Sequence, residues 1–364
     1  MADTILFTGF PGFLGSELLP RVLARSTDAT AICLVQAKFA GLARERADEL
    51  VARDPTLAGR IDIVEGDIVQ PDLGLGDAYD GVARTTTEIF HLAAVYDLSV
   101  PRALAESVNV HGTIHVLDLA GACDRLARLQ YVSTCYVSGR YTGVFRETDL
   151  VKGQRFNNFY EETKYLAEVE VQARMAAGLP ATIYRPSVVS GDSGTGATQK
   201  LDGPYFLLRW LLKQPRVAVM PMVGDPDGYR FNTVPRDFIV DAITELSARD
   251  DTVGEVYALA DPEPLTVGQL VELSAEVSGK RLVQVPLPLG LAKFAIERIP
   301  GVFPLLEIPA DAVDYFTHPT HYLTDNAQAA LAGTGIGLPD KREWFRQLAS
   351  FTRDHLGMSS AAMV

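Results

Sequence analysis

The stretch from Thr4 to Gly15 constrains the fold more than any other part of the chain. Thr4-Ile5-Leu6-Phe7-Thr8 is an apolar, β-prone run, and Gly9, Gly12 and Gly15 follow it at three-residue intervals. The pattern reads as a strand over 4–10, a glycine turn, and a helix over 12–25. Three glycines so spaced let the backbone turn tightly and approach a pyrophosphate, which would then sit at the positive end of the helix. Gly9, Phe10, Pro11, Gly12, Phe13, Leu14 and Gly15 are therefore candidate nucleotide-binding residues. The spacing is Gly-x-x-Gly-x-x-Gly, whereas the more widespread dinucleotide fingerprint is Gly-x-Gly-x-x-Gly. An ordinary glycine-rich turn has the same composition, but the strand before it and the helix after it favour a cofactor site. Pro20 is expected to kink that helix or end its first segment.

Beyond the turn, short apolar runs alternate with helical patterns. Strands are expected over 30–36, 60–66, 88–93, 129–137 and 181–189, with a later one near 255–260. Amphipathic helices are expected over 38–53, 100–124 and 158–177. Such alternation means an α/β fold: a Rossmann-type, doubly wound parallel sheet with helices on both faces. After residue 190, loops rich in Gly and Pro (191–203, 223–228 and 286–309) break up shorter helices, as in a smaller C-terminal substrate-binding lobe. The segment around Pro235-Arg236-Asp237 to Ile243 reads as a helix returning to the sheet. The expected division is 1–190, with 230–260 returning to it, for the nucleotide domain. The lobe takes 191–229 and 261–356, and 357–364 forms a flexible tail.

The spacing that speaks most directly to chemistry is Tyr160-x-x-x-Lys164. On a helix, positions i and i+4 share a face about one turn apart. A cation there favours the phenolate, so a hydroxyl with an ordinary pKa near ~10 can exchange a proton nearer neutrality. Carbonyl chemistry coupled to a nicotinamide hydride needs such a proton source. Surface Tyr–Lys pairs share the spacing; the nucleotide turn upstream is what gives this pair its meaning.

Composition narrows the classes. A chain of 364 residues with 47% apolar content can bury a large core. A net charge of −13 argues against a nucleic-acid partner. No apolar stretch has the length of a bilayer span, and Met1-Ala2-Asp3 opens without a basic or apolar leader, so a cytoplasmic protein is expected. Cys33, Cys123 and Cys135 lack metal or redox spacing, and neither His318-x-x-His321 nor His111-x-x-x-His115 has thiolate or carboxylate company. No metal site is expected.

Taken together, the motifs carry a family resemblance. Gly9 to Gly15, Glu65-Gly66-Asp67-Ile68, His91-Leu92-Ala93-Ala94, Asn109-Val110-His111-Gly112-Thr113, Tyr131-Val132-Ser133-Thr134, Tyr160 to Lys164 and Tyr184-Arg185-Pro186-Ser187 occur in order over roughly the first 250 residues. The chain resembles the extended short-chain dehydrogenase/reductases. Within them it is similar to the thioester-reductase branch, male-sterility type, with its fatty acyl-CoA reductases and carboxylic acid reductase domains. The resemblance implies that Thr134 and Tyr160 aim two hydroxyls at the substrate carbonyl oxygen, an oxyanion-type site. Ser133 has the same chemistry but, by strand alternation, the opposite face. Lys164 would hold the nicotinamide ribose and lower the pKa of Tyr160. Asp67, with Ile68 beside it, resembles the residue that meets the adenine amino group, with the backbone of Ala93 and Ala94 lining the adenosine. Asn109 would fix the local helix or a proton-relay water. Pro186 and Ser187 would sit by the nicotinamide carboxamide.

Cofactor choice turns on Leu34-Val35-Gln36-Ala37-Lys38 at the end of the second strand, with Arg44 and Arg46 on the next helix. No acid stands at the strand end to select a free ribose hydroxyl, and Lys38 or Arg44 suits a phosphate, so NADP(H) is favoured over NAD(H). The Gln36 position is usually Arg in the branch, a departure here. The reaction implied is reduction of an acyl thioester, on coenzyme A or a carrier protein, to an aldehyde. The apolar Phe206-Leu207-Leu208 and 287–296 fit a hydrophobic core, an acyl tunnel or peripheral membrane contact. Arg209, Lys213 and Arg216 form a basic patch, either a solvated face or a phosphate contact. The alternatives are an extended reductase acting on a ketone, steroid-like alcohol or nucleotide-sugar, and a catalytically silent nucleotide sensor. The intact Thr134–Tyr160–Lys164 set counts against the sensor.

Overall fold

The computed structural model describes residues 3–96, 99–223, 225–287 and 314–358. The expectations for the apolar run from Pro288 to Ile296, most of the 286–309 loop, and the tail beyond 358 lie outside these residues.

Seven strands pair in parallel: β1 Thr4–Thr8, β2 Thr30–Val35, β3 Ile61–Glu65, β4 Glu88–His91, β5 Arg128–Val132, β6 Ala181–Pro186 and β7 Val256–Leu259. Their order across the sheet is β3-β2-β1-β4-β5-β6-β7. Alternation sends neighbouring residues to opposite faces, and both faces are apolar. Phe7 and Phe90 pack under helices α1 (Gly15–Leu23), α2 (Ala40–Arg53) and α7 (Arg236–Ser247), through Leu18, Leu19, Ala43, Leu50, Ile239 and Ile243. Their neighbours Leu6 and Ile89 face the other way with Val82 of α3 (Tyr79–Thr85). On that face the long helix α4 (102–122) and α5 (Phe159–Ala176) bring Val116, Leu117, Ala167 and Val171. Each such side chain buried contributes about 1.5–3 kcal/mol. The strand order reverses between β1 and β4, which opens a crevice at their carboxyl ends.

Two expectations need correction. Helix α1 continues through Pro20 to Leu23. Only the bond to the Ser16 carbonyl is forgone there, and Leu18, Leu19, Val22 and Leu23 on both sides of the proline are buried. Strand β5 stops at Val132, and Cys135–Ser138 is a 3₁₀ turn. The Thr134 hydroxyl accepts from the Tyr136 amide at 3.2 Å and so diverts the chain from the ladder. Helix α4 carries a π-helical turn over Glu106–His111, which places Asn109 on its buried side.

The later chain builds a second core. Helices α6 (Pro204–Lys213), α8 (Val267–Val277) and α10 (Lys341–Asp354) interlock through Leu208, Leu211, Leu270, Val271, Phe345 and Leu348. A Thr266–Gln269 capping box starts α8. Phe206, Leu207 and Leu208 are buried, and Leu207 and Leu208 belong to this cluster. Helix α9 (Asp325–Leu331) returns to the sheet, seating Ala327 and Leu331 with the α1 layer. Among the described residues no helix is long and apolar enough to cross a membrane.

Candidate active site

At the end of β1, Gly9 adopts φ +93°, a left-handed conformation that other residues rarely take. The Gly12 amide donates to the Gly9 carbonyl at 2.9 Å. A Cβ on Gly12 would lie 2.7 Å from that carbonyl oxygen, and one on Gly15 2.5 Å from it. The three glycines thus wrap a turn with no room for side chains. Helix α1 begins after Leu14, which makes no side-chain cap; the Ser16 amide donates to the Gly12 carbonyl at 2.9 Å and the Glu17 amide to the Leu14 carbonyl at 3.2 Å, and the positive end of the helix lies at the turn.

Helix α5 begins at Asn158, whose side chain accepts from the Glu161 amide. Its inner face carries Tyr160, Thr163, Lys164, Ala167 and Glu168, all buried. Burial raises the Tyr160 phenol well above its ordinary pKa, and the neighbouring Thr134 hydroxyl pulls the other way. Thr134 Oγ1 also lies 3.4 Å from the Pro186 carbonyl at the end of β6. Ser133 turns away and donates to Glu168 at 2.5 Å, so the hydroxyl pair is Thr134 with Tyr160. Glu168 is further bound to Arg185 at 2.6 Å, a buried ion pair tying α5 to β6.

Lys164 is buried one turn along α5 from Tyr160. Its ammonium donates to the Tyr131 hydroxyl at 3.0 Å and to the Val132 carbonyl at 2.8 Å. Burial brings Lys164 down to about 7, against the opposing attraction of Glu168. The ring of Tyr96 meets Tyr160 edge-on at 5.0 Å, and Lys200 from the lobe lies 4.1 Å over the Tyr96 ring. Beside this group, a cleft of about 560 Å³ runs past Ser99, Val100, Asn158 and Phe159.

At the other end of the crevice, Gln36 donates to Asp67 at 3.0 Å, and Asp67 also accepts from the Val69 amide. Ile68 is buried against Gly112 of α4, and its carbonyl meets His115. Lys38 is exposed and lies over Phe39, while Arg44 pairs with Glu65 at 3.0 Å. The Ala93 amide donates to Thr8, with Ala94 next along the same loop. Asn109 is a clamp: it exchanges bonds with the Val95 backbone and donates to Thr163 at 3.0 Å. Ser187 follows Pro186 with its hydroxyl buried and unpartnered.

Male sterility proteins match this chain over residues 7–243. The chain belongs to that family, a branch of the extended short-chain dehydrogenase/reductases. This male-sterility-family chain accordingly belongs to an NAD(P)-binding domain family. It is 33% identical over 276 residues to a linear gramicidin synthase of Brevibacillus parabrevis, a match that covers 73% of this chain and 5% of that one. It is 32% identical over 287 residues to the glycine betaine reductase ATRR of Emericella nidulans, covering 74% of this chain and 22% of the other. The chain thus spans less than a quarter of the length of either relative. Among solved structures it resembles the terminal R domain from the myxalamid PKS-NRPS biosynthetic pathway, with TM-score 0.82 and 26% identity, over 99% of this chain and 93% of that one.

The residues of the family protein fit a dinucleotide. The glycine turn leaves its backbone open to close approach by a phosphate at the positive end of α1, and the orphaned Ser187 hydroxyl wants a polar partner. Sequence reasoning passed over Tyr96 and Lys200, and took Thr8, His91, Thr113 and Tyr131 only as motif letters. Strand alternation from Ser133 back along β5 was the signal for Tyr131; nothing local pointed to Tyr96 or Lys200.

Proposed function

We propose that this protein reduces an acyl thioester, carried on coenzyme A or a carrier protein, to an aldehyde, using NADPH in preference to NADH. The observation that carries the reading is the adjacent, buried Thr134 and Tyr160, two hydroxyls at the carboxyl end of a switch-point sheet. The glycine turn with Gln36, Asp67, Ile68, Ala93, Ala94, Pro186 and Ser187 would hold the dinucleotide, with Lys38 or Arg44 meeting a 2′-phosphate. Asn109 serves by fixing the 95-loop to α5. Residues 1–190 and 230–260 form the nucleotide part of this scheme, 191–229 and 261–356 the substrate lobe.

The bound nicotinamide supplies hydride to the thioester carbonyl carbon. Thr134 and Tyr160 receive the developing negative oxygen in a site already stripped of water, where their dipoles need no rearrangement. Collapse of the tetrahedral adduct breaks the carbon–sulfur bond and expels the thiolate, leaving the aldehyde. The cleft lined by Asn158 and Phe159, the residues just before Tyr160, would take the acyl group. Relatives support reductive chemistry, one being a glycine betaine reductase. Three free cysteines suit a cytoplasmic setting.

Initial rates across acyl-CoA and acyl-pantetheine lengths, with aldehyde trapped as a hydrazone, test this. Each buried methylene contributes about 0.8 kcal/mol, so efficiency should rise several-fold per added carbon until the path is full. No aldehyde from any thioester, alongside clear turnover of a ketone or secondary alcohol, replaces the reading with its rival.

A further inference from the structure

We propose that Tyr131 is the positioning residue of this reaction centre, holding the Lys164 ammonium against the end of β5 with its phenol oxygen and its ring face. The inference rests on the reading that Lys164 serves the centre. The Lys164 nitrogen lies 3.0 Å from the Tyr131 hydroxyl and 4.5 Å from its ring centroid, and donates also to the Val132 carbonyl at 2.8 Å. An ammonium has three protons arranged tetrahedrally. With two committed to β5, the direction of the third is fixed.

The phenol is itself held from behind. Thr8, His91 and Tyr131 are register partners across β1, β4 and β5, so their side chains stand in one row on one face of the sheet. Thr113 of α4 stands beside the Tyr131 hydroxyl, and Thr113 donates its own proton to the Asn109 carbonyl at 2.6 Å. His91 Nε2, 3.0 Å from the Thr113 oxygen, must therefore be the donor there. Its bare Nδ1 then accepts from the Thr8 hydroxyl at 2.7 Å, and Thr8 accepts from the Ala93 amide at 3.3 Å. Thr8 and Thr113 each have one donor role and at least one acceptor role, so the row has a single self-consistent proton arrangement. It runs from the residue before Gly9 to Lys164 and ties the glycine turn to the ammonium through side chains.

The charged and titratable groups facing Lys164 are Glu168 and Tyr160 on its own helix, Tyr131 on β5 and His91 on β4. Glu168 is bound to Arg185 and Ser133, and burial with the nearby Lys164 charge takes His91 down to about 3, which leaves it neutral. Tyr131 is thus the neutral acceptor in direct contact with the ammonium.

The test follows the Lys164 side-chain nitrogen by NMR in the full chain labelled with ¹⁵N-lysine, the signal being identified by its loss in Lys164→Arg. Deleting the acceptor in Tyr131→Phe disfavours the charged form, and the titration midpoint should fall by about one pH unit. Thr113→Val keeps the phenol but removes its anchor, and should move the midpoint the same way by less. Tyr184→Phe deletes an equally buried hydroxyl, bonded to Gln130 at 2.8 Å on the adjoining strand, and should leave it unmoved. In turnover, the alkaline limb of kcat for Tyr131→Phe should shift with the midpoint. That is a loss of about tenfold above it and under twofold two units below it. An unchanged midpoint in both Tyr131→Phe and Thr113→Val, or an equal shift in Tyr184→Phe, overturns the proposal. The NMR arm needs no substrate, so a failure of the thioester reading shows only in the kinetic arm.

Discussion

Tyr160 keeps its proton until a neighbouring oxygen becomes negative. Burial holds the phenol neutral, and Thr134 is the group that offsets part of that cost. A neutral donor is what reduction of a carbonyl asks for, since the proton is needed only as charge develops. Tyr160→Phe should therefore cut kcat by ~10²–10⁴-fold, the range for a positioned general acid, with little change in NADPH affinity. Thr134→Ala should lose on the order of 10²–10³-fold, as when one oxyanion donor is removed. Because Thr134 also caps the Tyr136 amide, that variant should in addition be about 1 kcal/mol less stable in urea. Near-full activity in Tyr160→Phe would put the chemistry elsewhere. Tyr160, Thr134 and Lys164 were legible from spacing and motif. The company of Lys164 was not, because the i,i+4 rule places it beside Tyr160 and says nothing of the strand beneath.

At the scale of elements, the turn from β2 into α2 decides the nucleotide. Gln36 is occupied with Asp67, Lys38 is exposed, and Arg44 shares its charge with Glu65 through a half-exposed ion pair. Such a pair is worth under about 1 kcal/mol, so a dianionic phosphate can draw Arg44 away from it. A charge-assisted contact contributes ~1.5–3 kcal/mol, and NADPH should bind at least tenfold more tightly than NADH. Arg44→Ala or Lys38→Ala should erode the preference and leave NADH affinity nearly unchanged, as titration of nucleotide fluorescence would show. Equal affinities in the unaltered protein would remove the argument. The elements themselves were largely readable: strands near 30–36, 60–66 and 181–189 appear within a few residues of expectation. The end of β5 was misread because Val132 to Val137 stays apolar while the Thr134 hydroxyl, a side-chain effect, turns the backbone.

For the whole molecule, the row of buried polar groups links folding to acidity. His91 is neutral in the folded chain, held at about 3 against an ordinary 6.5. Between those values the unfolded chain takes up a proton that the folded one refuses, so stability falls as pH drops. From pH 6.5 to 5 this amounts to about 2 kcal/mol for His91 alone. His91→Gln has no such proton, so the stability advantage of the unaltered protein over the variant should shrink by that much in urea unfolding over this interval. Parallel curves would mean that His91 is solvated.

The sequence by itself determined the α/β class, the glycine turn and the shared helix face of Tyr160 and Lys164. These follow from local regularities, a two-residue period in strands, a four-residue period on a helix, and the sterics of glycine. Only the tertiary structure decided what surrounds Lys164. Thr8 and His91 stand 83 positions apart, and Tyr131 lies 33 from Lys164. Their meeting depends on the register of three parallel strands and on the seating of α4 and α5 over one face, and register is set by packing of the whole sheet, which no local spacing encodes.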